Sequence, residues 1–376
     1  MSRRYRRYAS HTFVVVLGSV LAACSDGEAP AADAGVVADA APSPDAAADA
    51  APGADAPPAG GPDATADAGL DPRDAVVAPD VMLNGDFERD PSRITLRGAC
   101  PQEDRLGGFS VQMNEDVGYT AFDGVVRNGV IPNAVRDVVL EESGCRLLRR
   151  RRLSCDPPCP SGQTCGLQQQ CVPSPVGQDM GPVRTLGLAR SIEVMPQQPG
   201  YSYFYTRLPH PGVETGAVVQ LTAPTPRFLS PLELYGVGVR QLVPLDARWV
   251  LTEGQPLVIH WEPPAAGARS SVFVELNIDL HGLTPLLLTC DLPDTGTATV
   301  SGAMIDGLIG AGVTGFPEGR VTRRTADRLQ APEGCVDFVV SSSRKVDLQV
   351  TGFIPCSAPA DCPAPLMCDL AIQQCR

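Results

Sequence analysis

After the first eighty residues, apolar and polar side chains alternate in short runs, which is the pattern of half-buried β-strands. The run PLVIHWEPP places Leu257, Ile259 and Trp261 on one face of a strand, and its two final prolines end the strand. Only residues 303–311 and 321–330 have the spacing of short helices. The pattern therefore predicts an all-β protein built from tandem small β-domains, with immunoglobulin-like sandwiches as the expected architecture.

Turn signals separate these predicted strands. The run SVQMNEDVGYTAFDGVVRNGVIP contains Asp123-Gly124 and Asn128-Gly129, which are dipeptides typical of tight hairpin turns. The run SVFVELNIDLHGLTPLLLTCDLPDTG predicts two more strands around His281-Gly282. We therefore expect antiparallel hairpins along much of the chain.

The beginning of the chain has the composition of an export signal. Four arginines lie within the first seven residues, and an apolar run of about a dozen residues follows, ending in small side chains. Such a run is too short to span a bilayer as a permanent helix. The protein is therefore expected to leave the cytoplasm.

Charge is unevenly distributed along the chain. Residues 25–80 contain twelve acidic residues and one arginine, for a net charge of −11, and they consist mainly of Ala, Pro, Gly and Asp. This composition cannot bury enough apolar surface to fold, so it predicts a disordered tether. Residues 81–376 have a net charge of only −6. A mildly acidic folded part argues against a nucleic-acid partner.

The stretch Leu21-Ala22-Ala23-Cys24 resembles the lipobox of bacterial lipoproteins. The resemblance implies that the Cys24 thiol receives a diacylglyceryl group, which would hold the protein on a membrane. Ser25, in place of aspartate, implies sorting to the outer membrane of a Gram-negative envelope. The alternative is an ordinary or twin-arginine signal peptide with an incidental cysteine, which would give a secreted protein.

Twelve cysteines remain when Cys24 is set aside, an even number in an exported chain. They are Cys100, Cys145, Cys155, Cys159, Cys165, Cys171, Cys290, Cys335, Cys356, Cys362, Cys368 and Cys375. Two pairs with a spacing of 45 residues are each followed by a cluster of four, which indicates a duplicated module. We expect six disulfides.

The outer cysteines suggest the pairs Cys100–Cys145 and Cys290–Cys335, each of which would stabilise the fold by about 4 kcal/mol in the chain-entropy model. Within each cluster, three pairings are open. A structural metal site is the alternative, although most cluster spacings exceed those of zinc knuckles. No C-x-x-C redox motif occurs, and no metal or cofactor is expected.

The lipobox, the Asp/Ala/Pro tether and the Cys-rich tails together resemble the Cys-rich cell-surface lipoproteins of the myxobacterial type. The resemblance covers about a third of the chain. It implies a cell-surface location and no particular activity.

These observations predict seven segments along the chain. They are a lipoprotein signal peptide (1–23), a disordered tether (24–80), a small β-domain (81–150), a first Cys-rich module (151–175), a β-sandwich domain (176–265), a β-domain either separate from or fused with it (266–353), and a second Cys-rich module (354–376).

Few residues have the pattern of a catalytic site. The string Asp294-Thr295-Gly296-Thr297 matches the aspartic-protease motif, but Pro293 departs from that motif, no second such triplet occurs, and a β-turn is favoured. His210, His260 and His281 lie in separate segments without a metalloprotease or serine-hydrolase motif. The prediction is a protein without catalytic residues; an exported hydrolase, aspartic-type or with an unrecognised site, is the alternative.

Two surface features are candidates for binding. Tyr201, Tyr203 and Tyr205 fall at period two, so a strand would present them on one face as contacts for a glycan or protein ligand, although aromatic residues are also common in strands generally. The run RLLRRRR, residues 146–152, suits an anionic surface such as lipopolysaccharide, but a solvated strand edge is favoured. The sequence predicts a membrane-anchored lipoprotein with a binding or structural role, and it leaves the oligomeric state open.

Overall fold

The computed structural model describes residues 86–224, 228–278 and 286–376. The predicted signal peptide, Cys24, the tether and the His281-Gly282 turn lie outside the described residues. The first strands are β1 (Arg105–Asn114), β2 (Tyr119–Val126), β3 (Arg136–Glu142), β4 (Cys145–Arg150), β5 (Gln163–Cys165), β6 (Cys171–Pro173), β7 (Val183–Leu186), β8 (Ile192–Val194), β9 (Tyr203–Leu208) and β10 (Val218–Ala223).

The remaining strands are β11 (Leu232–Val237), β12 (Arg248–Leu251), β13 (Leu257–His260), β14 (Ser271–Asn277), β15 (Leu286–Pro293), β16 (Thr297–Val300), β17 (Glu318–Ala331), β18 (Gly334–Val350), β19 (Cys368–Asp369) and β20 (Gln374–Cys375). Helix α1 spans Gly302–Ile309, as predicted for residues 303–311, and Ser301 caps it. Two 3₁₀ turns lie at Pro132–Ala134 and Pro359–Asp361. The predicted all-β class is confirmed. No helix in the described parts of the chain is long and apolar enough to cross a membrane.

One ten-stranded sheet joins most of the described chain. Its strand order is β3-β4-β15-β14-β17-β18-β1-β2-β9, and β12 pairs with the far end of β18. The pairs β1·β18 and β12·β18 are parallel, a feature that hairpin signals do not predict. Because strands from residues 81–150, 176–265 and 266–353 share this sheet, the sheet is not divided at residues 150 and 265.

The long hairpin β17–β18 lies in the middle of this sheet. Residues 321–330, predicted as a short helix, belong to β17 instead. The prediction was wrong because buried and half-buried residues alternate strictly here, with Val321, Arg323, Thr325 and Asp327 buried. Because most of these buried residues are polar, the apolar side chains alone do not show the period of two.

Two hydrophobic cores lie on the same face of the ten-stranded sheet. In the first, Phe109, Phe122 and Phe338 contact residues of a second, four-stranded sheet with the order β11-β10-β7-β8. This arrangement is a sandwich of two sheets. In the second core, Trp249 and Trp261 pack with the buried residues of helix α1 and of the β13·β16 pair.

The predicted turn at Asp123-Gly124 is absent, because both residues lie inside β2. The glycine is required there for space: a Cβ on Gly124 would lie 2.2 Å from a carbon of the Phe109 ring. The chain instead reverses between β1 and β2 at residues 115–118, where Gly118 has a φ of +64°. A packing requirement thus produced the same dipeptide that a hairpin turn would.

The twelve described cysteines form six disulfides, as predicted. The outer pairs, however, are Cys100–Cys335 and Cys145–Cys290, so the predicted pairs of 45-residue spacing are wrong. The sheet explains the difference, since β4 pairs with β15 and places Cys145 directly opposite Cys290. Sheet neighbours that are distant in sequence, rather than the repeat in the sequence, determine the pairing.

Each Cys-rich module contains a first-to-third and a second-to-fourth disulfide. These are Cys155–Cys165, Cys159–Cys171, Cys356–Cys368 and Cys362–Cys375. Three sulfurs in each cluster lie within 4.8 Å of one another, a spacing that would also suit a metal ion, but here all of them are in S–S bonds. Six disulfides indicate an extracytoplasmic protein.

Candidate functional site

The face of the ten-stranded sheet opposite the two cores is polar. Because side chains alternate along a strand, Arg324 and Arg328 of β17 point away from the cores that Val321 and Arg323 face. The same alternation brings Phe273 and Glu275 of β14 to this face, which we call the open face. It contains a cleft of about 1030 Å³, which is at the upper end of the volumes of ligand sites.

Strands form one wall of the cleft, and two connecting segments form the rest. These segments, residues 99–103 and 127–136, contribute both apolar and charged groups. The first is held to the sheet by the Cys100–Cys335 disulfide and by a hydrogen bond of 2.7 Å from Arg328 Nη1 to the Ala99 carbonyl. The segment 99–103 is therefore held against the sheet.

Ion pairs balance much of the charge in the cleft. Arg105 donates to both carboxylate oxygens of buried Asp337, at 3.0 Å from Nε and 2.9 Å from Nη2. Burial lowers the pKa of Arg105 and the bond to Asp337 raises it, with a net upward shift. Arg324 Nη2 lies 3.0 Å from Asp291 Oδ2, and its guanidinium lies 4.1 Å from the centre of the Phe273 ring.

Some charged groups in the cleft have no such partner. The guanidinium groups of Arg127 and Arg136 and the carboxylate of Glu275 make no hydrogen bond or ion pair to the residues that the structure describes. Together with the half-buried Phe273 ring, they offer donors, an acceptor and an aromatic surface in one cleft. This combination suits a polar ligand with a planar or ring-shaped apolar part.

The predicted ligand contacts at Tyr201, Tyr203 and Tyr205 are not on an open face. Tyr203 and Tyr205 are 1% and 4% exposed and belong to the first core, while Tyr201 precedes β9 with a φ of +49°. The Tyr203 hydroxyl accepts from Met180 N at 2.9 Å and donates to the Gly181 carbonyl at 3.0 Å. The prediction was wrong because period two identifies a face without identifying which face is buried.

Asp294, the aspartate of the protease-like string, has a fully occupied carboxylate. Its oxygens accept from Trp261 Nε1 at 2.7 Å, from Ser270 Oγ at 2.6 Å and from Arg323 Nε at 2.6 Å. The side chains of Arg323 and Asp294 are 0% and 2% exposed. A carboxylate so enclosed has no free oxygen for a substrate or an attacking water.

The described histidines lie at separate places. His210 Nδ1 lies 3.1 Å from Thr120 Oγ1 and its Nε2 lies 3.2 Å from Glu115 Oε2, but Thr120 is fully buried, so its hydroxyl is not reachable by a substrate. His260 Nδ1 lies 3.1 Å from Asp246. His281 lies outside the described residues.

Two arginines of the cleft, Arg324 and Arg328, were missed in the sequence because they belong to β17, which was expected to be a helix. In GRVTRRTADRL, alternate positions are polar on both faces, so the arginines at 324 and 328 resemble a helical surface. Recognising β17 as a strand would have placed Arg324 and Arg328 on one face, each next in sequence to a buried charged residue, Arg323 or Asp327, on the other face.

No known protein family and no curated protein matches this chain. Among solved structures, the chain is similar to three fibronectin-type domains, FN1–FN3, of chicken CNTN1. That match has 11% sequence identity and a TM-score of 0.16, and it covers 60% of this chain and 68% of the other. A similarity at this TM-score identifies no common fold.

Proposed function

We propose that the protein is an exported lipoprotein that is attached to the outer membrane through Cys24 and binds a ligand in the cleft of the open face without catalysing a reaction. The observation that carries the binding role is the cleft of about 1030 Å³, whose lining combines unpaired charges with the Phe273 ring. The six disulfides support export, and the lipobox-like stretch ending at Cys24 supports the anchor.

A passive role is supported by the state of the candidate catalytic groups. The Asp294 carboxylate is saturated by three side chains, and the described cysteines are all oxidised, so neither offers a free nucleophile or base. The charges that remain unpaired in the described part of the cleft belong to arginines and to Glu103 and Glu275, and such groups recognise ligands through hydrogen bonds and ion pairs.

The anchor is tested by substituting its attachment atom. Cells expressing the chain are fed a radiolabelled fatty acid, and the membrane fraction is examined for labelled protein. The wild type and Ser25→Asp should both be labelled, and Cys24→Ser should be unlabelled and released from the membrane. Label that persists in Cys24→Ser would refute attachment at this residue.

The binding role is tested by screening the chain against an array of bacterial envelope oligosaccharides. Phe273→Ala removes the ring of the cleft, whereas Phe316→Ala removes a ring that is 44% exposed and does not line the cleft. A specific ligand should be lost with the first variant and retained with the second. Equal binding by both would refute the cleft as the site, and cleavage of a bound sugar would favour the hydrolase alternative.

A further inference from the structure

A second cavity, of about 450 Å³, lies beside the end of β4. It is lined by the consecutive residues Arg149–Arg152, by Asp137 of β3, by Leu153, and by Leu167 and Gln169 of the first Cys-rich module. Neighbouring residues of a strand point to opposite sides of it, but β4 ends at Arg150. Arg151 and Arg152 lie beyond the strand and are therefore free to line the same cavity as Arg149 and Arg150. We call the four residues Arg149–Arg152 the arginine strip.

The charges of the arginine strip are largely unmatched. Arg151 Nε lies 2.6 Å from Asp137 Oδ1, which is the single acidic residue lining the cavity. Arg149, Arg150 and Arg152 are exposed and make no side-chain hydrogen bond or ion pair to any described residue. Four guanidinium groups against one carboxylate leave an excess of three positive charges in a chain whose described part is otherwise mildly acidic.

Disulfides restrain the chain close to both walls of the cavity. Cys145, at the start of β4, is bonded to Cys290 of β15, and Asp137 lies opposite Arg149 in the β3·β4 pair. On the other side, Gln169 lies between Cys165 and Cys171, which belong to the two disulfides of the module. The backbone on each side of the site is therefore restrained, and a ligand has to order only side chains.

From this geometry we propose that the arginine strip is a binding site for a small ligand that bears two or more phosphate groups. The planar guanidinium group donates two parallel hydrogen bonds to phosphate oxygens, and several such groups in one cavity favour a multiply charged anion over a single carboxylate. The volume suits a phosphorylated head group or a short phosphate chain rather than a long polymer. The site is separate from the cleft of the open face and does not depend on the proposed function.

The test uses the full chain with Cys24→Ser, so that the protein is soluble, and measures binding by calorimetry. The probes are sodium tripolyphosphate and phosphatidylcholine vesicles with or without cardiolipin, a lipid whose head group carries two phosphates. The triple variant Arg149→Gln, Arg150→Gln, Arg152→Gln should bind at least 100-fold more weakly, since each charged hydrogen-bond partner contributes about tenfold. The control, Arg89→Gln, Arg93→Gln, Arg248→Gln, loses the same charge elsewhere and should bind as the parent does.

The variant Asp137→Asn distinguishes the loss of a binding site from a loss of binding caused by misfolding. Removing this carboxylate frees Arg151, so the affinity for tripolyphosphate should rise by about tenfold, which a damaged protein cannot show. Binding to cardiolipin vesicles alone would identify the phosphate source as a lipid head group, and binding to both probes with mutual competition would identify a general phosphate site. Either result supports the proposal.

The proposal would be overturned if neither probe binds the parent chain, if the triple variant and its control bind equally, or if Asp137→Asn weakens binding. A fourth arm uses dextran sulfate and single-stranded DNA at the same total charge. Equal or tighter binding of these polymers would show a non-specific polyanion surface in place of a phosphate site.

Discussion

Two groups of arginines in this protein have opposite surroundings. Arg323 is completely buried, and its guanidinium donates to the Asp294 carboxylate and to the backbone carbonyls of Arg240, Gln241 and Glu262. In the arginine strip, only Arg151 has an acidic partner. A buried charge must have its hydrogen bonds satisfied within the protein, whereas an exposed charge is solvated by water that a ligand can replace.

The comparison separates structural from functional arginines. Arg323 lies between the two hydrophobic cores, where Thr325 and Asp327 of the same strand are also buried and hydrogen-bonded. The hydrogen bonds of the Arg323 guanidinium all join β17 to other segments of the chain. The arginine strip has no such role in packing, so its charges are available for binding. The predictions below compare buried and exposed groups through their effects on the free energy of unfolding.

The largest effect is expected for Asp294→Ala, which leaves the charge of Arg323 buried without a counter-ion. The free energy of unfolding should fall by about 4 to 5 kcal/mol. Asp347→Ala is a matched control, because the Arg248–Asp347 pair has the same N–O distance of 2.6 Å but side chains that are 54% and 51% exposed. That variant should lose less than about 1 kcal/mol in urea unfolding. Similar losses for both would contradict the role assigned to burial.

Removing the Cys145–Cys290 disulfide tests how firmly the arginine strip is joined to the second core. Cys145→Ala with Cys290→Ala should reduce the free energy of unfolding by about 3 kcal/mol, because the bond closes a long loop, although Cys100–Cys335 already restricts the unfolded chain. The control replaces Cys356 and Cys368 with alanine, which opens a module remote in sequence. If chemical denaturation shows the larger loss in the control, the inner disulfide is not the main restraint.

A neutral buried group should follow the same rule with a smaller effect. Tyr203→Phe removes the hydroxyl that bonds Met180 N and Gly181 O, and it should reduce the free energy of unfolding by about 1 to 2 kcal/mol. Burial also raises the pKa of this hydroxyl, so it stays protonated and continues to donate at alkaline pH. Tyr205→Phe is the control, since Tyr205 is equally buried without a described hydrogen bond from its hydroxyl. Equal thermal stability of the two variants would refute the prediction.

The tyrosines also show what the sequence does and does not determine. Alternation correctly predicted the strand β13, with Leu257, Ile259 and Trp261 buried, because a polar opposite face marks which side is solvent. It failed for β9, where Phe204 is exposed between two buried tyrosines, since both faces are aromatic. One-dimensional patterns give the period of a strand, while the identity of its buried face depends on neighbours far away in the sequence.

The cysteines give the same result for long-range contacts. Their oxidation follows from an even number in an exported chain, but the outer pairing depends on which strands become neighbours in the sheet. The parallel pairing of β1 with β18 joins residues more than two hundred positions apart, and no local signal specifies it. The cleft is lined by residues of this pairing together with residues of β14, β15 and β17, so its lining is brought together by sheet contacts that no local pattern specifies.

Asp123 is intermediate between the two groups of arginines, because it is half-buried and accepts from Ser110 Oγ and Gln112 Nε2. Burial raises its pKa above the ordinary value of 3.8 despite these bonds. The unfolded chain therefore releases this proton at a lower pH than the folded protein, so stability from this group falls as the pH rises from 3.8 through the folded pKa.

Asp123→Asn removes that penalty and should make the protein more stable at pH 7, by less than about 1 kcal/mol. The gain should disappear as the pH falls below 3.8, where the wild-type carboxyl is protonated in both states. Thermal unfolding across this pH range measures the difference between the two proteins. A variant that is less stable than the wild type at pH 7 would show that the hydrogen bonds outweigh burial.

The smallest effect is expected in the arginine strip itself. Three exposed positive charges close together repel each other, and they contribute no hydrogen bond to a described residue, so Arg149→Gln, Arg150→Gln, Arg152→Gln should change the free energy of unfolding by less than about 0.5 kcal/mol. The change should be stabilising at low salt and should vanish at high salt, because salt screens the repulsion. Urea unfolding at two ionic strengths measures both quantities. A loss of stability as large as that of Asp294→Ala would mean that these arginines are structural, and the division between saturated and available arginines would then fail.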